Sequence, residues 1–219
     1  MPSKHVRFVD MPTMRSASAP SSSTGPATLA SPDLGTLPAQ IHLHPLLVAT
    51  DSDAPLDWDM SLPAESSRVR LANYPPQLID TIVSQPATLP PRQSVAIICT
   101  YLPWTITVTP TPNATRTAPY VTVGDVLHTL YRRLRLGVTP AELGVLDAVV
   151  RDRVHDAYVA RYRRVVDPGE RDVEKGKRIK RVDFLREHRL FYGLTLIEGG
   201  LPALQLPHGA VWKLHTARS

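Results

Sequence analysis

The chain has 219 residues, 42% of them apolar, with 25 Lys and Arg against 20 Asp and Glu for a net charge of +5. That length supports one sizeable core rather than two, and a single cysteine, Cys99, excludes an internal disulfide. The 22 prolines follow no period, which excludes collagen, and the longest apolar run, Val95–Cys99, is far short of the ~20 residues of a membrane helix.

Residues 10 to about 40 are Ser, Thr, Pro and Ala with almost no charge. Such a segment cannot bury enough surface to offset its chain entropy, so residues 1–40 are expected to be a disordered tail. No signal-peptide stretch follows Met1, so a cytoplasmic or nuclear protein is expected, with the Asn113-Ala114-Thr115 sequon unglycosylated. A domain is read over 41–219, beginning at Ile41-His42-Leu43-His44-Pro45-Leu46-Leu47. After an irregular stretch around Trp58, Val95-Ala96-Ile97-Ile98-Cys99 reads as a buried strand. Trp104-Thr105-Ile106-Thr107-Val108 alternates as a half-buried strand should, with Trp104, Ile106 and Val108 on the core side. Tyr101-Leu102-Pro103 reads as the hairpin connection, Thr109 to Pro119 as a loop and Tyr120-Val121 as a short strand.

The strongest helix signal follows. Thr122 stands three residues before Asp125, capping-box spacing, and Val126, Leu127, Leu130, Tyr131 and Leu134 recur on one stripe. Arg132, Arg133 and Arg135 occupy the last turn, where cations suit the helix dipole. Thr139-Pro140-Ala141-Glu142 repeats the device for a second helix. Gly144 and Asp147 mark a break or a fresh cap, and helical spacing then runs to about residue 165, where Asp167-Pro168-Gly169 is expected to end it. Residues 169–180 are highly charged and expected to be exposed. Val182–Leu185 and Leu190–Leu194 are compact apolar clusters, and Ala210–Leu214 alternates as a last strand that can return to the sheet edge. This order predicts an α+β domain: a small, mainly antiparallel sheet packed by two to three helices.

These segments together resemble a family of uncharacterised fungal proteins, mainly from mushroom-forming basidiomycetes, that share one domain of unknown function. The matching residues are HLHPLL (42–47), LPWTITV (102–108), YVTVGDVLHTLYRRLR (120–135), TPAEL (139–143), RYRR (161–164), RVDFL (181–185) and FYGL (191–194), closed by Trp212. The resemblance implies a glycine soon after the DFL element, a place taken here by Glu187 or its neighbours. It implies no activity, cofactor or catalytic residue.

Candidate sites are few. Lys4-His5-Val6-Arg7-Phe8 matches the pattern by which short peptides dock on protein phosphatase 1. Val6 and Phe8 would fill two pockets from an added strand while Lys4 meets an acidic rim; the same peptide is suited to fold back on its own domain. Residues 127–190 hold sixteen of the 25 Lys and Arg against ten acids. Arg163, Arg164, Lys177, Arg178, Lys180 and Arg181 form a candidate basic surface: a solvated face, a nuclear-import signal or a nucleic-acid contact. His42 and His44 lie two apart but lack a third metal ligand, and the acids from Asp51 to Asp59 lack the glycine and glutamate of a calcium loop. Cys99 reads as a core thiol, and Asp125 with His128 as a cap beside a surface imidazole. Asp183, set between large apolar residues, is either outward-facing or paired in a buried bridge, with Arg181 or the Tyr162-Arg163-Arg164 stretch as the candidate partner.

No catalytic, cofactor or metal group is expected. The reading is a non-enzymatic, non-membrane interaction domain; the alternatives are a nucleic-acid-associated protein and an enzyme of undescribed chemistry. Limited proteolysis is expected to trim residues up to about 38 and leave a cooperatively unfolding core from near Ile41. Protection of residues 15–35 in hydrogen exchange would contradict the reading of the tail.

Overall fold

Two strands read from the sequence, β5 (Val95–Cys99) and β6 (Leu102–Val108), pair as an antiparallel hairpin around which the rest is organised. The computed structural model describes residues 40–50, 54–70, 82–112, 118–202, 205–206 and 209–219. Within them the chain is α+β, as its pattern predicts. The hairpin turn is tighter than expected: Leu102 and Pro103 already belong to β6.

β7 (Leu190–Leu196) and β8 (Val211–Ala217) complete a four-stranded sheet in the order β6-β5-β8-β7. β8 runs parallel to β5, pairing Ala96 with Val211 and Cys99 with Leu214, and antiparallel to β7. The last strand therefore lies inside the sheet and not at its edge. Consecutive Val211 and Trp212 are both buried, so both faces are covered at that end, as inner strands require. Two small pairs flank this sheet: β1 (His42–Leu43) with β4 (Thr88–Leu89), and β2 (Leu56–Asp57) with β3 (Arg68–Val69).

Helix α1 (Val123–Leu134) starts on the expected capping box, with Thr122 and Asp125 exchanging hydrogen bonds. Val126, Leu127, Leu130 and Leu134 are buried, at about 1.5–3 kcal/mol for each large side chain. α2 (Pro140–Gly144) is only one turn long, because Asp147 supplies a fresh cap for α3 (Ala148–Arg163). Asp167-Pro168-Gly169 does not simply end the helical region: Asp167 accepts from Glu170 N at 2.8 Å and starts α4 (Pro168–Gly176). Among the described residues α4 is thus a helix that the sequence did not lead one to expect. Val182–Leu185 falls within a 3-10 turn, Arg181–Leu185. Tyr120-Val121 is not a strand; the Val121 backbone is held by Ala87 and Arg92.

The two sheet edges differ. The outer edge of β7 is covered: Leu194 N donates to Leu47 O at 2.6 Å, Ala49 N to Leu194 O at 3.0 Å, and Phe191 N to Trp58 O at 2.9 Å. Gly193, at φ 124°, allows this approach, since a Cβ there would lie 2.4 Å from Ala49 N. The outer edge of β6 has no backbone partner among the described residues. Trp104, placed on the core side by alternation, reaches only half-buried cover at the rim. Its Nε1 donates to Glu142 Oε1 at 2.7 Å, and the Arg181 guanidinium lies 4.4 Å from its ring centroid.

Gly193→Ala is expected to cost about 3–4 kcal/mol in chemical denaturation, because backbone clash adds to the strain of a positive φ. Gly176→Ala, where an added Cβ meets nothing within 4 Å, should change stability by less than about 1 kcal/mol.

Candidate functional site

The charged segment 169–180 is mostly exposed, as expected, but Glu174 and Lys180 within it turn inward. Val154 and Arg161, two helical turns apart on α3, are the buried residues of that helix. Arg161 forks onto Asp183, Nε to Oδ1 at 2.8 Å and Nη2 to Oδ2 at 2.9 Å. Its Nη1 donates to Glu174 Oε1, and Nη2 also reaches the Arg178 carbonyl at 2.8 Å. Lys180, 4% exposed, bonds Glu174 Oε1 at 2.6 Å. Burial raises the Glu174 carboxyl, but hydrogen bonds from Lys180 and Lys177, with the Arg161 charge, outweigh it and hold the pKa down to about 2. Asp183 is thus paired, and its buried partner is Arg161, the residue just before the stretch in which it was sought.

The six residues of the candidate basic surface do not share a face for a ligand. Lys180 is buried, which corrects its reading as surface, and Lys177 is paired with Glu174 at 2.9 Å. Arg181 is stacked on Trp104 and lies 3.5 Å from Glu142. Arg164 stands 3.6 Å from Asp59, while Arg163 and Arg178 are exposed. Lys4, Val6 and Phe8 lie outside the described residues.

The remaining candidates have structural partners. His44 Nε2 meets Gln85 Oε1 at 2.9 Å and its Nδ1 accepts from Leu46 N. Among the described residues no three ligating side chains gather for a metal. His128 faces Glu65 at 3.4 Å and not Asp125. Asp57 pairs with Arg70 and Asp59 with Arg189. Cys99 is buried, and burial pushes its thiol pKa up.

A groove that sequence reading missed opens beside β6. Asp125, the capping carboxylate of α1, also accepts from Thr111 N at 3.0 Å and so anchors the loop after β6 to the helix start. The groove lies between that loop and the outer flank of α1. One hollow of about 460 Å³ is lined by Pro110, Pro112, Thr122, His128 and Arg132. A second of about 390 Å³, sharing Pro110, Pro112 and Arg132, extends past Thr107 to Arg133 and Leu136. Arg132 and Arg133 are exposed and make no side-chain pair among the described residues. The signal for this flank was present in Arg132 and Arg133, but it read equally well as a dipole-complementing last turn.

Residues 56–202 match a family of unknown function (DUF6699). The chain belongs to that family. No curated protein and no solved structure matches it. The matched span contains β6, α1 and the whole Arg161 network; His42–Leu47 and β8 lie outside it. No helix among the described residues of this DUF6699 chain is long and apolar enough to cross a membrane.

Removing one member of the Arg161 network strands a buried charge. Arg161→Ala or Asp183→Ala is expected to cost about 3–5 kcal/mol in denaturant unfolding. Because the folded pKa of Glu174 is depressed, its contribution to stability is present above the ordinary 4.5 and lost as pH falls towards about 2. Glu174→Gln should flatten stability over that window; an unchanged acid limb would disprove the assignment.

Proposed function

We propose that this domain is a non-enzymatic protein-interaction module, working in the cytoplasm or nucleus, that takes an extended acidic segment of a partner as a strand added to β6. The observation that carries the reading is the outer edge of β6, without a backbone partner among the described residues, opening onto the groove beside α1. A free edge offers alternating N–H and C=O groups to a peptide, and a flanking helix selects its side chains. Here that helix presents Arg132 and Arg133, so acidic side chains are favoured. Asp59, Asp125, Glu174 and Asp183 serve as caps and ion-pair partners, which supports a binding role over acid–base chemistry. The nucleic-acid alternative loses its main support, since Lys177, Lys180 and Arg181 of its basic run engage Glu174, Trp104 and Glu142.

Selection of random 12-residue peptides on the full chain is expected to enrich sequences that alternate β-branched residues with Asp or Glu. Their binding should perturb amide signals of residues 102–112 and 123–136. Arg132→Gln with Arg133→Gln should weaken them about tenfold or more, with only the small loss of melting temperature that the helix dipole sets. Peptides mapping to another face would overturn the proposal, as would sub-micromolar nucleic-acid binding at ~150 mM salt.

A further inference from the structure

Arg186, directly after the 3-10 turn, has φ 56° and ψ −122°, a conformation suited to glycine and strained for arginine. Its guanidinium lies 5.0 Å from the Tyr101 ring centroid, and that ring stacks on His188 at 4.7 Å. The Arg186 side chain makes no hydrogen bond or ion pair among the described residues, and its Nε is buried without a partner. A strained backbone, an oriented guanidinium and an unsatisfied buried donor together call for an explanation.

Three more arginines surround it. Arg153 donates to Glu187 at 2.6 Å, Arg189 to Asp59 at 3.0 Å, and Arg164 stands 3.6 Å from the same Asp59 oxygen. Three guanidinium groups thus meet two carboxylates, Glu187 and Asp59, and Arg186 has neither. The crowding is felt: burial, then the charges of Arg189 and Arg161, hold the Arg164 pKa below its ordinary value. Between α3 and this turn lies a hollow of about 300 Å³, floored by Ala157 and Ala160 and lined by Arg153, Arg186 and Arg189 together with the carboxylates Asp156 and Glu187. The small floor leaves room, and guanidinium forks match the oxygens of a tetrahedral anion.

We propose that this hollow binds a phosphate group, with Arg186 as its principal donor. The site uses other elements than the β6 groove and stands without that reading. Asp156 and Glu187 both oppose an anion there; Glu187 is held by Arg153, so removal of the Asp156 charge should help binding.

The full chain is titrated with inorganic phosphate and, separately, with O-phosphoserine, at constant ionic strength balanced with chloride. Heat and melting temperature are read at about pH 7.5, where both probes are largely dianionic. Saturable binding with a rise in melting temperature is expected. Arg186→Gly should melt no lower than the wild-type chain, since it relieves the backbone, yet bind about tenfold or more weakly. Asp156→Asn should bind about threefold more tightly. Tighter binding of O-phosphoserine identifies an esterified phosphate as the ligand, and tighter binding of inorganic phosphate a free one. An equal response from wild type and Arg186→Gly, or no saturable response to either probe beyond that of chloride, overturns the proposal.

Discussion

Taking a guanidinium out of water costs several kcal/mol unless its donors are satisfied, and Arg161 is 6% exposed. Its fork meets Asp183 in the 3-10 turn, Glu174 in α4 and the carbonyl of Arg178 between them. Four stretches of chain must be correctly placed at once for that charge to be neutralised. A shift of α4 alone would strand Glu174 and Lys180 as well as Arg161. The network therefore adds little net stability over an apolar core, but it penalises nearly every alternative docking of α4 and the turn.

The same constraint redistributes charge over the domain. Three cations of the densest basic run, Lys175–Arg181, are drawn inward or paired: Lys180 on Glu174, Lys177 on the same carboxylate and Arg181 on Trp104. Among the described residues, Arg132 and Arg133 on the flank of α1 and Arg186 behind the turn have no carboxylate partner. The sites proposed for ligands are thus not where linear charge density is highest. Each centres on a cation that has no carboxylate partner among the described residues.

Local signals were legible and non-local ones were not. Thr122 with Asp125, and Thr139 with Glu142, announce their helix starts because a cap and its partner lie within four residues. Asp167-Pro168 is the same device, hidden by the usual reading of Pro-Gly as a terminator, although Pro suits a first turn. Arg161 continues the spacing of Val154 by two turns, so its inward face was readable, but an arginine on an apolar stripe is easily passed over. Its choice of Asp183, 22 residues away, depends on tertiary placement that no window contains. The inner position of β8 has the same cause: Trp212-Lys213-Leu214 alternates like an edge strand, and only pairing with both β5 and β7 distinguishes it. The β6 groove was illegible for a related reason, since it exists only where a loop, a strand edge and a helix flank meet.

An open edge is a liability unless something limits what can pair with it. β6 carries Pro103, which has no N–H to offer, near its start, and exposed Thr105 and Thr107 further on. Self-association of flat apolar strands is discouraged by those residues. At the other end of β6, α1 and the loop anchored by Asp125 narrow the approach, and Arg132 and Arg133 repel a basic strand. A second copy of β6 added in parallel would bring its own Arg132 and Arg133 against the first pair. An extended chain with acidic side chains meets neither obstacle, so the features that suppress nonspecific pairing also define the segment that the edge is able to accept.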